Sequence, residues 1–212
     1  MSKTTVGLQK ITDQISQQGE RLGLVTNSGK TKVMTISKEQ HDLQLSVNGT
    51  QLEQVKKFVY LGGKIAQNGR CESDIKRRIG LTWAVFNKLT NIWNCCNLTG
   101  DIKLQVFESM VIPVLMYGSE CWTMRKEDER KILVAEMCWI RRILGISRLQ
   151  HIRNDDIRKR AGMQVTAVDR IKARRLRWYG HVSRMDSNRI PFLALHTRVD
   201  GVRSRERDGE ME

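Results

Sequence analysis

Two neighbouring aspartates, Asp155 and Asp156, are the residues whose type and spacing could hold a catalytic metal ion. Polymerases and nucleases use paired carboxylates to bind divalent metals, which activate the attacking oxygen and stabilise the leaving one. These aspartates lie in the basic string RNDDIRKR, before a helical pattern, and acidic residues there stabilise a helix start through the helix dipole. We interpret them as a helix start and predict no metal site.

A second candidate for chemistry is the segment Ser28-Gly29-Lys30-Thr31, which has the lysine and hydroxyl of a phosphate-binding loop. It lacks the preceding glycine that shapes such a loop, and the chain contains no HExxH or GxSxG motif. The sequence therefore shows no complete catalytic constellation, and we expect this chain to be neither an enzyme by itself nor the carrier of a cofactor.

The cysteines and the hydropathy of the chain bear on its compartment. Five cysteines without a CxxC pair are typical of reduced thiols rather than of a disulfide framework or a zinc site. No stretch reaches the roughly 18 apolar residues of a membrane span, and no apolar region follows the first lysine. We expect an intracellular protein, nuclear or cytoplasmic, that is neither secreted nor membrane-bound.

The positive charge of the chain is concentrated in one segment. Of a net charge of +14, residues 141–190 contribute +10, from 14 basic and 4 acidic residues, and 12 of the basic residues are Arg. Arginine pairs with phosphate through two hydrogen bonds and stacks on planar groups. The pattern favours a polyanion partner such as nucleic acid, with a solvated charged face or a protein interface as the alternative.

The last long helical pattern, from Thr166 to about Met185, divides these charges into two stripes. At 100° per residue, one stripe is apolar and contains Val168, Ile171, Trp178, Val182 and Met185, with Arg175 as an exception. The neighbouring stripe is basic and contains Arg170, Arg174, Arg177, His181 and Arg184. We expect the apolar stripe to pack on a core and the basic stripe to follow phosphates. Trp178 fits a core position better than base stacking.

Residues 1–70 carry short β patterns after a first helix at 5–22. Alternating apolar residues around Asn48-Gly49 predict a hairpin, and a short strand is expected at Val33. Residues 58–61 predict another strand that ends in a Gly62-Gly63 turn.

Residues 71–190 show helical periods instead. We expect helices at 75–93, at 101–117 with a bend at Pro113, and at 127–142, then a short helix capped by Asn154 and a longer one capped by Thr166. The prediction is an α+β fold: a small antiparallel β region at 1–70, a helical bundle at 71–190 and a frayed tail at 191–212.

Several strings together resemble the reverse transcriptase of non-LTR retrotransposons, in particular the RTE-like endonuclease/reverse transcriptases. They occur in the family's order between residues 5 and about 192, and are GLVTNSGKTKVM (23–34), FVYLGG (58–63), GRCESDIKRRI (69–79), IPVLMYGSECW (112–122), WIRRILGI (139–146) and RLRWYGHVSRM (175–185). The tail GVRSRERDGEME departs from the family's Gly-Arg-Pro-rich continuation. The resemblance implies the end of a polymerase palm at 5–36 and a thumb with a downstream helical region from residue 72.

The resemblance also assigns roles to single residues. It implies a primer-grip element at Phe58, Tyr60, Leu61, Gly62 and Gly63, and a remnant general acid at Lys30. The family's catalytic aspartates, for which the intact enzyme needs Mg²⁺, have no counterpart here. The basic residues expected to bind nucleic acid are Lys30, Lys32, Lys64, Arg77, Arg78, Arg141, Arg142, Arg170, Arg174, Arg177, His181 and Arg184.

Two functions follow from the sequence. The first is a C-terminal reverse transcriptase fragment that holds RNA or an RNA/DNA primer–template duplex without catalysing its extension. The alternative is a non-catalytic helical module, reused by the host, that binds nucleic acid or protein.

Overall fold

The structure is a computed structural model that describes residues 4–36 and 42–197. It confirms the α+β class, with short strand pairs near the N-terminus followed by a helical bundle. A helix, α1 (Thr5–Arg21), comes first, and six strands follow in the described residues: β1 (Lys32–Val33), β2 (Ser46–Val47), β3 (Thr50–Gln51), β4 (Glu53–Gln54), β5 (Lys57–Tyr60) and β6 (Gly63–Ala66).

The hairpin β2–β3 forms at the predicted turn. Asn48 and Gly49 have φ angles of 51° and 75°, the left-handed conformation of the two-residue turn that matches strand twist. Val33, Leu45, Val47 and Leu52 form a small core below it. Gln9 of α1 joins this hairpin through both ends of its amide, because Nε2 donates to the Ser46 carbonyl at 2.9 Å and Oε1 accepts from Ser46 N at 3.1 Å.

Two features of the β region were not predicted. Strands β1 and β4 pair in parallel, with Lys32 opposite Glu53. The strand at 58–61 is the first half of a second hairpin, β5–β6, whose turn places Leu61 and Gly62 at φ angles of 46° and 75°. Strand β6 was not predicted from the string GGKIA, because four residues are too few to show an alternation of apolar and polar side chains.

The helical bundle begins after residue 70. Its helices are α2 (Glu72–Lys88), α3 (Thr90–Asn94), α4 (Gly100–Val106), α5 (Ile112–Met116), α6 (Lys126–Ile143), α7 (Asn154–Arg160), α8 (Ala167–Ser183) and α9 (Ile190–His196). A π-helical segment at Phe107–Val111 joins α4 to α5 immediately before Pro113, which lies in the first turn of α5. The proline is tolerated there because the amides of a first turn need no intrahelical acceptor.

Aromatic rings fill the centre of the bundle. Phe86 stacks on Trp93 with 4.9 Å between ring centroids, and Phe107 and Trp139 contact each other at 6.1 Å. All four side chains are at most 3% exposed. Large rings bury much apolar area and gain further from offset and edge contacts, so this cluster fixes how α2, α3 and α6 pack.

Three local predictions are wrong. Arg153, rather than Asn154, occupies the N-cap of α7, and the Asn154 side chain accepts a hydrogen bond from Arg141 instead. The tail predicted to fray after residue 190 includes α9, while residues 198–212 lie outside the described part. The single helix predicted at 75–93 is divided at Leu89 into α2 and α3. The proposed domain boundary at residue 70 stays a prediction.

Candidate nucleic-acid interface

Helix α8 begins at a capping box and packs on the bundle by its apolar stripe. The Thr166 hydroxyl accepts from Asp169 N at 3.1 Å, while the Asp169 carboxylate accepts from Thr166 N at 3.1 Å. The Thr166 hydroxyl also donates to the Asp169 carboxylate at 2.7 Å, and this bond together with the one from Thr166 N lowers the pKa of Asp169. Val168, Ile171 and Val182 are buried, as predicted. The helix is therefore held at its start and along one side.

A buried glutamate of α6 fixes where α7 and α8 meet. Glu136 is 1% exposed; its Oε1 accepts from Ala167 N at 2.7 Å and its Oε2 pairs with Arg158 at 3.1 Å. Burial raises the pKa of Glu136, although both contacts favour the charged form. This role of Glu136 could not be predicted from the sequence, because its partners Arg158 and Ala167 come from later helices.

The first half of the basic stripe is paired with acidic residues of the bundle. Arg170 forms a two-pronged ion pair with Glu108, in which one distance is 2.9 Å. Arg174 donates to Glu120 from Nε at 2.9 Å and from its terminal nitrogen at 2.6 Å. These two arginines therefore tie α8 to the π-helical segment and to the turn Ser119–Cys121, instead of facing solvent as free cations.

The second half of the stripe lies open to solvent. Arg177, His181 and Arg184 are exposed, and no hydrogen bond or ion pair engages either arginine within residues 4–36 and 42–197. Together with Trp178, Arg174 and Glu120 they line a depression of about 430 Å³. We call this depression the basic groove.

Trp178 lies in this groove rather than in the core. Its side chain is 45% exposed, and its ring contacts that of His181 at 5.5 Å between centroids. The prediction that Trp178 is a core residue is wrong. In the C-terminal half of α8, Val182 is the residue that is buried against the rest of the structure. An exposed indole among cations can stack on a nucleotide base.

The predicted primer-grip residues form the β5–β6 hairpin, which stands exposed. Phe58, Tyr60 and Leu61 are 37%, 60% and 75% exposed. The Gly62 carbonyl accepts hydrogen bonds from Arg77, at 2.9 Å, and from Arg78. Arg77 and Arg78 thus hold the hairpin tip to α2, and Arg78, only 6% exposed, is not placed to meet a phosphate as predicted.

A buried aspartate anchors the same hairpin next to its turn. Asp74 is 5% exposed and accepts from Lys64 N at 2.8 Å and from the Trp122 indole at 2.9 Å. Tyr117 adds a hydrogen bond to the Leu61 carbonyl at 3.1 Å. The hairpin therefore has a fixed orientation although its own side chains are solvated.

The remaining predicted cations are dispersed over other elements. Lys32 pairs with Glu53 across β1–β4, and Lys30 is exposed in the turn before β1. Arg141 donates to the Ile152 carbonyl at 2.7 Å, and Arg142 to the Asn87 side chain at 3.3 Å. The structure does not gather these residues into the basic groove.

A second open surface lies between α8 and α9. This apolar groove, about 710 Å³ in volume, includes Leu176, Tyr179, Pro191 and Leu195. This groove was not predicted, because the sequence pattern after residue 190 favours no regular structure.

The described residues contain neither a metal-binding cluster nor a membrane-spanning helix. Across 4–36 and 42–197, no group of three or more His, Cys, Asp and Glu side chains is placed to hold a metal ion. Within the same ranges, every helix is too short or too polar to cross a bilayer.

The chain is similar to an uncharacterized transposon-derived protein of Caenorhabditis elegans. The two sequences are 31% identical over 198 residues, which cover 89% of this chain and 70% of the relative. No family model matches the chain, and no solved structure does. The chain belongs to this transposon-derived family and has its origin in a transposable element.

Proposed function

We propose that this protein is the nucleic-acid-holding C-terminal region of a non-LTR retrotransposon reverse transcriptase. Its transposon-derived relative and the family strings of residues 23–185 support this lineage. In this proposal the β5–β6 hairpin is the primer-grip element, the bundle from residue 72 is the thumb, and RNA or a primer–template duplex is the ligand.

The observation that carries the proposal is the composition of the basic groove. Arg177 in α8 and Arg184 at its C-cap lie on one side of the helix. Both are exposed and lack acidic partners in the described residues. Guanidinium groups so placed bind phosphates without reading sequence. Trp178 between them offers a ring on which an unpaired base can stack. Phosphate contacts and stacking together give sequence-tolerant binding.

Charge reversal in the groove tests this proposal. Arg177→Glu with Arg184→Glu changes the local charge by four units at exposed positions. We expect RNA affinity to fall at least tenfold, measured by fluorescence anisotropy with a labelled single strand and with a primer–template duplex. Lys10→Glu with Lys88→Glu makes the same charge change at exposed positions of α1 and α2. Equal losses in the two double variants would remove the basis for a binding site at α8.

We further propose that the chain by itself does not extend a primer, because the family's catalytic aspartates have no counterpart in its sequence. With primed template, nucleotides and Mg²⁺ or Mn²⁺, the primer should keep its length. Template-dependent extension that copurifies with the chain through successive columns would contradict this.

The apolar groove between α8 and α9 favours a second candidate function, a protein-binding module. Leu176 and Tyr179 are 71% and 58% exposed there. Leu176→Asp would then abolish a protein interaction while leaving RNA affinity within about twofold of the wild type. Loss of RNA binding in Leu176→Asp would instead place the nucleic acid on that groove.

A further inference from the structure

One carboxylate lies inside the basic groove. Glu120 lines the groove with Arg174, Arg177, Trp178, His181 and Arg184, and its side chain is 25% exposed. Arg174 grips it with two nitrogens, at 2.9 Å and 2.6 Å from the same oxygen, Oε1. An oxygen anion thus already occupies the position that a phosphate oxygen would take on Arg174.

The backbone that carries Glu120 is firmly placed. Gly118 has a φ angle of 73°, which directs the chain into the turn Ser119–Cys121. Ser119, directly before Glu120, and Trp122, two residues after it, are 0% and 2% exposed. Because these two residues are packed in the bundle, the backbone of Glu120 is held at the groove, and only its side chain can turn away.

We propose that Glu120 is a specificity-determining residue of the groove, an internal anion that competes with phosphate for Arg174. This inference rests on the proposed function. A nucleic acid must displace the carboxylate from Arg174 and tolerate its negative charge nearby. The groove therefore selects ligands that offer several phosphates at once, which also engage Arg177 and Arg184, over isolated phosphate groups.

The chain offers a matched comparison for this role. Glu108 forms an equivalent ion pair with Arg170 on the same helix, with both carboxylate oxygens engaged. That pair lines a separate cavity, with Asp101, Gln105 and Met163. Removing the Glu108 charge changes the net charge of the protein as much as removing the Glu120 charge does, but frees no cation in the basic groove.

The experiment compares Glu120→Gln with Glu108→Gln in the full chain. The Arg174 and Glu120 side chains are 39% and 25% exposed, so water still screens the ion pair and a phosphate can replace it. Glu120→Gln should therefore raise affinity for a labelled RNA strand about threefold to tenfold at low salt. The slope of log affinity against log salt should steepen by about one, because Arg174 then neutralises a phosphate without the Glu120 charge offsetting it. Glu108→Gln should change affinity less than twofold. Melting temperatures identify a variant that has lost its fold, and Glu120→Ala then replaces Glu120→Gln.

A competition with inorganic pyrophosphate completes the test. Pyrophosphate should compete with the RNA more strongly in Glu120→Gln than in the wild type, because Arg174 is then available to a small anion. The inference is overturned if Glu120→Gln and Glu108→Gln raise affinity and slope equally while the wild type binds RNA. Failure of the proposed function looks different: the wild type would not bind RNA, or Arg177→Glu with Arg184→Glu would bind it unchanged.

Discussion

The arginines of α8 differ in whether an acidic side chain pairs with them. Arg174 and Arg177 are three residues apart on one helix, but the first is paired with Glu120 and the second is exposed. A charge reversal at Arg174 would bring two carboxylates together and destabilise the fold, so only Arg177 and Arg184 report on binding alone. Helical spacing predicts that these arginines share one face. It cannot predict which of them are paired, because Glu108 and Glu120 come from distant segments of the chain.

Val182→Asp tests the apolar stripe of this helix. Val182 is 5% exposed, and an unpaired buried carboxylate costs several kcal/mol, so the melting temperature should fall sharply or folding should fail. Leu176→Asp is the control, since Leu176 is 71% exposed on the same helix and should change stability by about 0.5 kcal/mol or less. Similar destabilisation by both substitutions would mean that the buried side of α8 is misassigned.

The raised pKa of Glu136 makes a prediction about pH. Because burial raises this pKa above its ordinary value of 4.5, the folded protein binds more protons than the unfolded chain between the two values. Stability contributed by this group is therefore greatest at low pH and falls as pH rises through the folded pKa. Glu136→Gln has no carboxyl group to titrate, so this fall should disappear. Its unfolding free energy, measured by urea titration from pH 4.5 upward, should decrease less with pH than that of the wild type. Parallel curves would contradict the assignment.

At the scale of elements, much of the architecture was accessible from the sequence. Hydrophobic periods and capping residues predicted α1, α6 and α8 closely, and Asn48-Gly49 predicted the β2–β3 turn, since these signals are local. The parallel pairing of β1 with β4 and the strand β6 were missed, because two- to four-residue strands carry no period of their own. Their positions depend on tertiary partners such as Asp74.

The site was predicted less completely than the fold. The sequence identified the stripe that contains Arg177, His181 and Arg184, because helical spacing alone brings them together. It did not reveal that Glu120 enters this groove, or that Arg78 is buried under the β5–β6 turn. Such long-range pairs leave no periodic trace in the chain.

Asp74→Asn tests how β5–β6 is held to α2. The two Asp74 carboxylate oxygens accept hydrogen bonds from Lys64 N and from the Trp122 indole. An asparagine has one side-chain oxygen, so its NH₂ group would face one of these two donors. We expect a loss of about 1–3 kcal/mol in unfolding free energy and faster hydrogen exchange at the β5–β6 amides. Asp101→Asn, at an exposed position in the first turn of α4, should change exchange at β5–β6 little. Unchanged exchange in Asp74→Asn would show that Arg77 and Arg78 hold the hairpin without it.

The charge of the whole molecule decides how binding responds to salt. With a net charge of +14, the protein attracts a polyanion at long range, but phosphates bind most readily to cations that lack acidic partners. If about five phosphates of a primer–template duplex are neutralised, log affinity should fall against log salt with a slope of about −4 to −5. Arg177→Glu with Arg184→Glu should reduce the magnitude of that slope by about two, since each arginine contributes about 0.9.

Anisotropy titrations at several salt concentrations measure both slopes, with the double variant Lys10→Glu and Lys88→Glu as the control of equal charge. A flat response in the wild type would favour the protein-binding module, while equal slopes in the two double variants would show that net charge, and not the groove on α8, attracts the nucleic acid.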